Sequence, residues 1–127
     1  MNTSKIFDEW EKTLNELANA RMELAHINSE IQKTKDALAE IEAHIYVDIS
    51  KMRDENGKPI YPNETLRQKA TMLNLLGIER YRNLKDILRR YEEKKEILIA
   101  KISNLKDRVE YFRYLVEANR DASETNP

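Results

Sequence analysis

The sequence predicts an all-α protein, a long antiparallel helical hairpin of coiled-coil character with a short extra helix at its tip. Three observations predict it. Ala, Glu, Lys, Leu and Arg make up 61 of the 127 residues, the composition of long helices. Gly57, Pro59, Pro62 and Gly77 are gathered in one central stretch, so residues 1–56 and 78–126 contain neither helix breaker. Apolar residues recur every seven positions in both of those flanks.

The first long helix is expected over about 4–53. Trp10, Leu17, Leu24, Ile31, Leu38, Ile45 and Met52 form one seven-spaced row. The companion row begins with Phe7 and Leu14 and then moves to Ala20, Ile27, Thr34 and Ile41, a drift of the seam that a stutter produces.

A turn and a short helix follow, over about 54–76. Asp54-Glu55-Asn56-Gly57-Lys58-Pro59 is turn chemistry, because Gly57 tolerates positive φ and Pro59 pushes Lys58 out of the helical region. Pro62-Asn63-Glu64 starts a helix, with Asn63 as N-cap and Glu64 near the positive end of the helix dipole. Leu66, Ala70 and Leu73 share one face of it. Gly77 either ends this helix or marks a kink into the next.

The last long helix is expected over about 78–121, with a disordered tail at 122–127. Leu84, Tyr91, Leu98, Leu105 and Phe112 alternate with Tyr81, Leu88, Lys95, Ile102, Val109 and Val116 in an a/d heptad. Lys95 is its one polar member. It either fixes register or oligomeric state or snorkels to the edge. Ile87, Ile99 and Leu115 widen this stripe beyond a two-helix contact and the tip adds Leu75, Leu76 and Ile78, so hairpins are expected to associate as a homodimer or higher oligomer, a four-helix bundle.

The net charge of −1 gives no overall pull toward nucleic acid or anionic lipid. Locally the balance is uneven. Arg80, Arg82, Lys85, Arg89 and Arg90 stand against Asp86 alone in residues 80–90. Residues 36–55, beside them in an antiparallel pair, carry six acids against Lys51 and Arg53. Pairing of the two stretches is the expectation. The competing reading is a basic hairpin tip that binds nucleic acid, with Tyr61 and Tyr81 stacking on bases.

Several chemistries fall away. With no cysteine there are no disulfides or thiolate metal sites. His26 and His44 sit eighteen residues apart, about 27 Å along a helix, and cannot share one metal within a chain. Glu23-Leu24-Ala25-His26 is a single copy of an element that di-iron bundles use twice, and Glu40, His44 and Asp48 read as a solvated charge ladder. With neither a Gly-rich phosphate loop nor a nucleophile elbow, no enzyme and no cofactor are expected. The opening residues lack the apolar core of a secretory signal, and no run approaches the ~20 apolar residues that cross a bilayer. A cytoplasmic protein with no membrane partner is the expectation.

One stretch, Gly57-Lys58-Pro59-Ile60-Tyr61-Pro62-Asn63-Glu64-Thr65-Leu66-Arg67, resembles the interhelical segment of small coiled-coil proteins of phages and prophages. There a Gly-Lys-Pro-x-Tyr-x-Asn-Glu-x-x-Arg pattern lies between long charged helices. The resemblance implies a phage-derived protein that modulates or inhibits a host complex. The expected activity is therefore non-enzymatic binding of a protein partner, with a nucleic-acid-binding accessory factor for recombination or nuclease inhibition as the alternative. Tyr61, Arg67, Arg80 and Arg82 are the candidate contact residues, since Tyr and Arg dominate interface energetics. The residues themselves also allow a self-contained tip, with Tyr61 packed on Leu66 or the final helix and Arg67 bonded to carbonyls of the preceding turn.

Overall fold

A computed structural model describes residues 3–125, with side chains over 3–122. It is all-helical. Helix α1 spans Thr3–Lys51, α2 Glu64–Leu76 and α3 Glu79–Thr125. No strand occurs among the described residues, only an isolated antiparallel bridge between Arg53 and Pro59. α3 runs past the boundary expected at residue 121. Of the disordered tail expected at 122–127, residues 122–125 belong to α3 and 126–127 lie outside the described residues.

The helices pack against one another in two compact units. In Met1–Asn28 with Glu93–Pro127, Leu17 and Ala20 of α1 bury against Leu105 of α3, and Ile102 and Val109 pack around them. In Ser29–Glu92, one cluster joins all three helices: Leu38 of α1, Leu75 of α2 and Tyr81 of α3. Ile41, Ile45, Ile78, Leu84 and Leu88 surround it.

Burial along α3 follows the expected heptad. Tyr81, Leu98, Leu105 and Phe112 are buried, while Leu84, Leu88, Tyr91, Lys95, Ile102, Val109 and Val116 are half-buried.

α1 departs from expectation at both ends. Phe7 and Leu14 are exposed by 46% and 41%, whereas Ile6 and Thr13 are buried by all but 3% and 1%. The companion row is therefore Ile6, Thr13, Ala20, Ile27, Thr34 and Ile41, seven-spaced with no stutter. Two threonines fill seam positions because their hydroxyls bond their own helix. Thr13 Oγ1 donates to the Glu9 carbonyl at 2.7 Å and Thr34 Oγ1 to the Glu30 carbonyl at 2.8 Å. Each buried hydroxyl thus keeps a partner. At the other end Ile49, not Met52, is buried, because α1 stops at Lys51 and Met52 belongs to the turn.

α2 turns inward a face that keeps Ala70 of the expected set but not its leucines. Ala70, Thr71 and Leu75 are buried, while Leu66 and Leu73 are exposed. Its start is as expected, with Asn63 Oδ1 accepting from Leu66 N–H at 2.9 Å. Gly77 ends the helix. Its φ is −83°, and its N–H reaches the Asn74 carbonyl at 3.1 Å. Ile78 N–H takes the Leu75 carbonyl at 3.0 Å before α3 begins.

Candidate functional site

The connection between the long helices holds Tyr61 and Arg67, the first turn of α3 holds Arg80 and Arg82, and the connection is a built structure rather than a slack loop. Asp54 organises its first half. The Asp54 carbonyl accepts from Gly57 N–H at 3.0 Å, and Asp54 N–H donates to the Lys58 carbonyl at 2.9 Å. Its carboxylate Oδ1 takes the amides of Asn56 and Lys58, both at 2.9 Å. Gly57 has φ +76°, the left-handed residue that follows the turn, and Ile60 N–H closes the loop onto the Met52 carbonyl at 3.1 Å.

The two glycines of the chain predict opposite results. Gly57→Ala should cost about 1–2 kcal/mol, since a Cβ is disfavoured at positive φ although the space is open. Gly77→Ala should be neutral or stabilise by up to about 1 kcal/mol, since its conformation suits alanine and the new Cβ lies 3.4 Å from the Asn74 carbonyl oxygen. Urea unfolding of the two variants gives both signs.

Arg67 ties the second half of the connection. Its guanidinium donates to the Tyr61 carbonyl at 3.3 Å and lies 3.7 Å from the Glu64 carboxylate. Glu64 gathers two more donors, the Tyr46 hydroxyl at 3.1 Å and the Gln68 amide at 3.2 Å. Arg67 is thus held inside the tip, and Tyr61 is half-buried beside it. Arg67→Ala should lower stability by about 1–3 kcal/mol, because the Tyr61 carbonyl loses its charged donor. Thermal melts of the variant check this. An unchanged melting temperature would show that the bond contributes nothing.

Arg82 has a similar task at the other end of α2, donating to the Leu76 carbonyl at 3.0 Å. Arg80 differs from both. It is exposed and has no hydrogen bond or ion pair among the described residues.

The expected cancellation between residues 80–90 and 36–55 takes another form. Asp86 carries Arg89 at 2.7 Å and Arg90 at 2.8 Å on α3 itself. The Arg89 hydrogen bond holds the Asp86 carboxyl below the usual carboxylate range, with the charge of both arginines adding to it. The link to α1 runs through Tyr81, whose hydroxyl donates to Glu42 Oε1 at 3.0 Å, with Lys85 Nζ 5.6 Å from the Tyr81 ring centroid. Burial pushes the Tyr81 hydroxyl above its ordinary pKa, and the bond to Glu42 adds to the shift. Arginines one turn from Asp86 meet it before they can cross to another helix.

Sequence reasoning counted Leu75 and Leu76 of α2 toward association but did not find the groove beside them or the stripe that Leu76 shares with Met72 and Leu73. An open groove of about 630 Å³ lies between α1 and α2, with Ala39 and Ala43 on one wall and Met72 and Leu75 on the other. Glu42, Tyr46, Gln68, Thr71 and Tyr81 complete its lining. Beside it Met72, Leu73 and Leu76 are exposed by 66%, 73% and 61%. The i, i+3, i+4, i+7 spacing of Lys69, Met72, Leu73 and Leu76 places them on one stripe of the helix. That spacing was the available signal. No group of His, Cys, Asp or Glu among the described residues is arranged to hold a metal, and no described helix is long and apolar enough to cross a membrane.

Comparison with protein-family models, with curated proteins and with solved structures gives no significant match.

Proposed function

We propose that this chain is a non-enzymatic coiled-coil hairpin protein that acts by binding another protein, with the connection between its long helices as the recognition end. The observation that carries the reading is the apolar stripe of α2. Met72, Leu73 and Leu76 stand in solvent on a helix already anchored by Ala70, Thr71 and Leu75. Contiguous exposed apolar surface of this kind marks interaction sites. Tyr61 and the unengaged Arg80 border it in sequence and complete the recognition surface. Arg67 and Arg82 support that surface from behind through their carbonyl bonds.

The hairpins associate as a homodimer or higher oligomer, a four-helix arrangement. The exposure of Ile87 and Ile99 beside the α3 seam supports this. The Gly57–Arg67 resemblance suggests a phage or prophage protein acting on a host complex in the bacterial cytoplasm.

Capture with the intact chain as bait tests the reading. A protein partner should be retained in stoichiometric amount and lost with Tyr61→Ala plus Arg80→Ala, while the melting temperature stays within a few degrees. Binding to single- or double-stranded DNA should be weak and fall steeply with salt. Submicromolar affinity for DNA at physiological salt, abolished by Arg80→Glu alone, would replace this reading with the nucleic-acid one. Arg80 is the residue to change, since Arg82 also holds the end of α2.

A further inference from the structure

The groove and the stripe on α2 lie side by side, and their chemistry matches. The groove wall on α1 is cut back to Ala39 and Ala43, leaving room for side chains from outside. Glu42 sits among them with Oε1 held by Tyr81, while Oε2 has no hydrogen-bond partner among the described residues. The site therefore asks for apolar side chains with a cation beside them on the same helix face. The stripe offers that set. Lys69 is exposed without an ion pair among the described residues, and Met72, Leu73 and Leu76 follow it on the same face. Met72 belongs to both features, edging the groove and projecting from the stripe.

We infer that the occupant of the groove is α2 of a second copy of this chain, the two copies related by a twofold axis. A surface that carries its projecting and receiving parts next to each other is self-complementary. A twofold axis satisfies both parts at once and closes the assembly at two. In that pair Met72 and Leu76 of one copy enter the groove of the other, Leu73 packs against its counterpart, and Lys69 reaches the free oxygen of Glu42. Both charges then gain a partner at the edge of a newly dry apolar contact, where pairing sets register. This locates on α2 the self-association proposed above and rests on that reading. The stripe is then occupied by the second copy rather than by the α3 face of Ile87 and Ile99. A different protein is met by what flanks the paired α2 helices, Tyr61, Arg80 and the turn at 54–60.

Sedimentation equilibrium of the intact chain at micromolar concentrations tests the inference. The wild type should have twice the 15.0 kDa chain mass. Leu73→Lys plus Leu76→Lys should raise the dimer dissociation constant roughly 100-fold or more with an unchanged helical spectrum, since both side chains are outside the fold of the single chain. Lys69→Glu and Glu42→Lys should each weaken the dimer about 10-fold, and the two together should restore it.

A 15.0 kDa monomer throughout would overturn self-association altogether. A dimer that survives Leu73→Lys plus Leu76→Lys and is lost in Ile87→Lys would overturn the α2 contact alone, with association passing along α3. A monomeric chain whose capture of another protein is lost in the Leu73 and Leu76 variant would give the groove to that protein instead.

Discussion

Leu38→Ala is expected to lower the unfolding free energy by about 2–5 kcal/mol, the usual cost of removing a buried leucine and leaving part of its volume empty. Leu38 lies near the top of that range for a structural reason. It packs against Leu75 of α2 and Tyr81 of α3, so three helices meet on one side chain. Collapse of the void would require two of them to shift together, against the Gly77 and Ile78 amides and the Arg82 guanidinium that fix the junction of α2 with α3. Leu73→Ala serves as the control on α2. Its side chain is 73% exposed in the single chain. At protein concentrations low enough to keep the chain monomeric, it should change stability by no more than about 0.5 kcal/mol. Urea unfolding followed by far-ultraviolet circular dichroism, at one fixed protein concentration, reads both values. A loss below about 1 kcal/mol for Leu38→Ala would mean that α2 is not held on the long helices through this cluster.

Thr13→Asp should cost about 3 kcal/mol, and Leu14→Asp, one residue away, about 1 kcal/mol at most. The pair separates the two seams that α1 can present. Aspartate matches threonine in size and is too short to carry its charge out to solvent, as a lysine would. At position 13 the side chain is almost fully buried, and the hydroxyl that donated to the Glu9 carbonyl is replaced by a group that only accepts when ionised. At position 14 the same change falls on a half-exposed site. Helix propensity falls only in Leu14→Asp, since threonine and aspartate are nearly equal in a helix, so a larger loss at position 13 reports burial. Equal losses would restore the seam through Phe7 and Leu14.

That contrast shows where local information ends. The two long helices were legible because breakers are confined to one stretch and nothing interrupts the flanks. The α3 seam was legible because its apolar residues alternate at three and four without a competing row. The Asn63 cap, the Gly57 turn and the Arg67–Tyr61 carbonyl bond were legible because each is made within seven residues of chain.

What the tertiary structure alone decided involves choices between locally equal alternatives. On α1, Phe7 and Leu14 are more apolar than Thr13, yet Thr13 is the one inside. A threonine whose hydroxyl bonds its own helix loses little by burial, so the neighbouring helix sets the face. On α2, Leu66 and Leu73 compete with Ala70, Thr71 and Leu75, and a short helix with two apolar stripes has no internal reason to prefer either. Packing on Leu38 and Tyr81 chooses the second stripe and leaves the first in water. The bonds from Tyr46 to Glu64 and from Tyr81 to Glu42 join residues 18 and 39 positions apart, beyond the reach of any helical period. The sequence by itself determined which segments are helical, but not the residues at which α1 and α3 end. Only the packed chain decided which faces turn inward, because burial is a property of what lies opposite a side chain and not of the side chain alone.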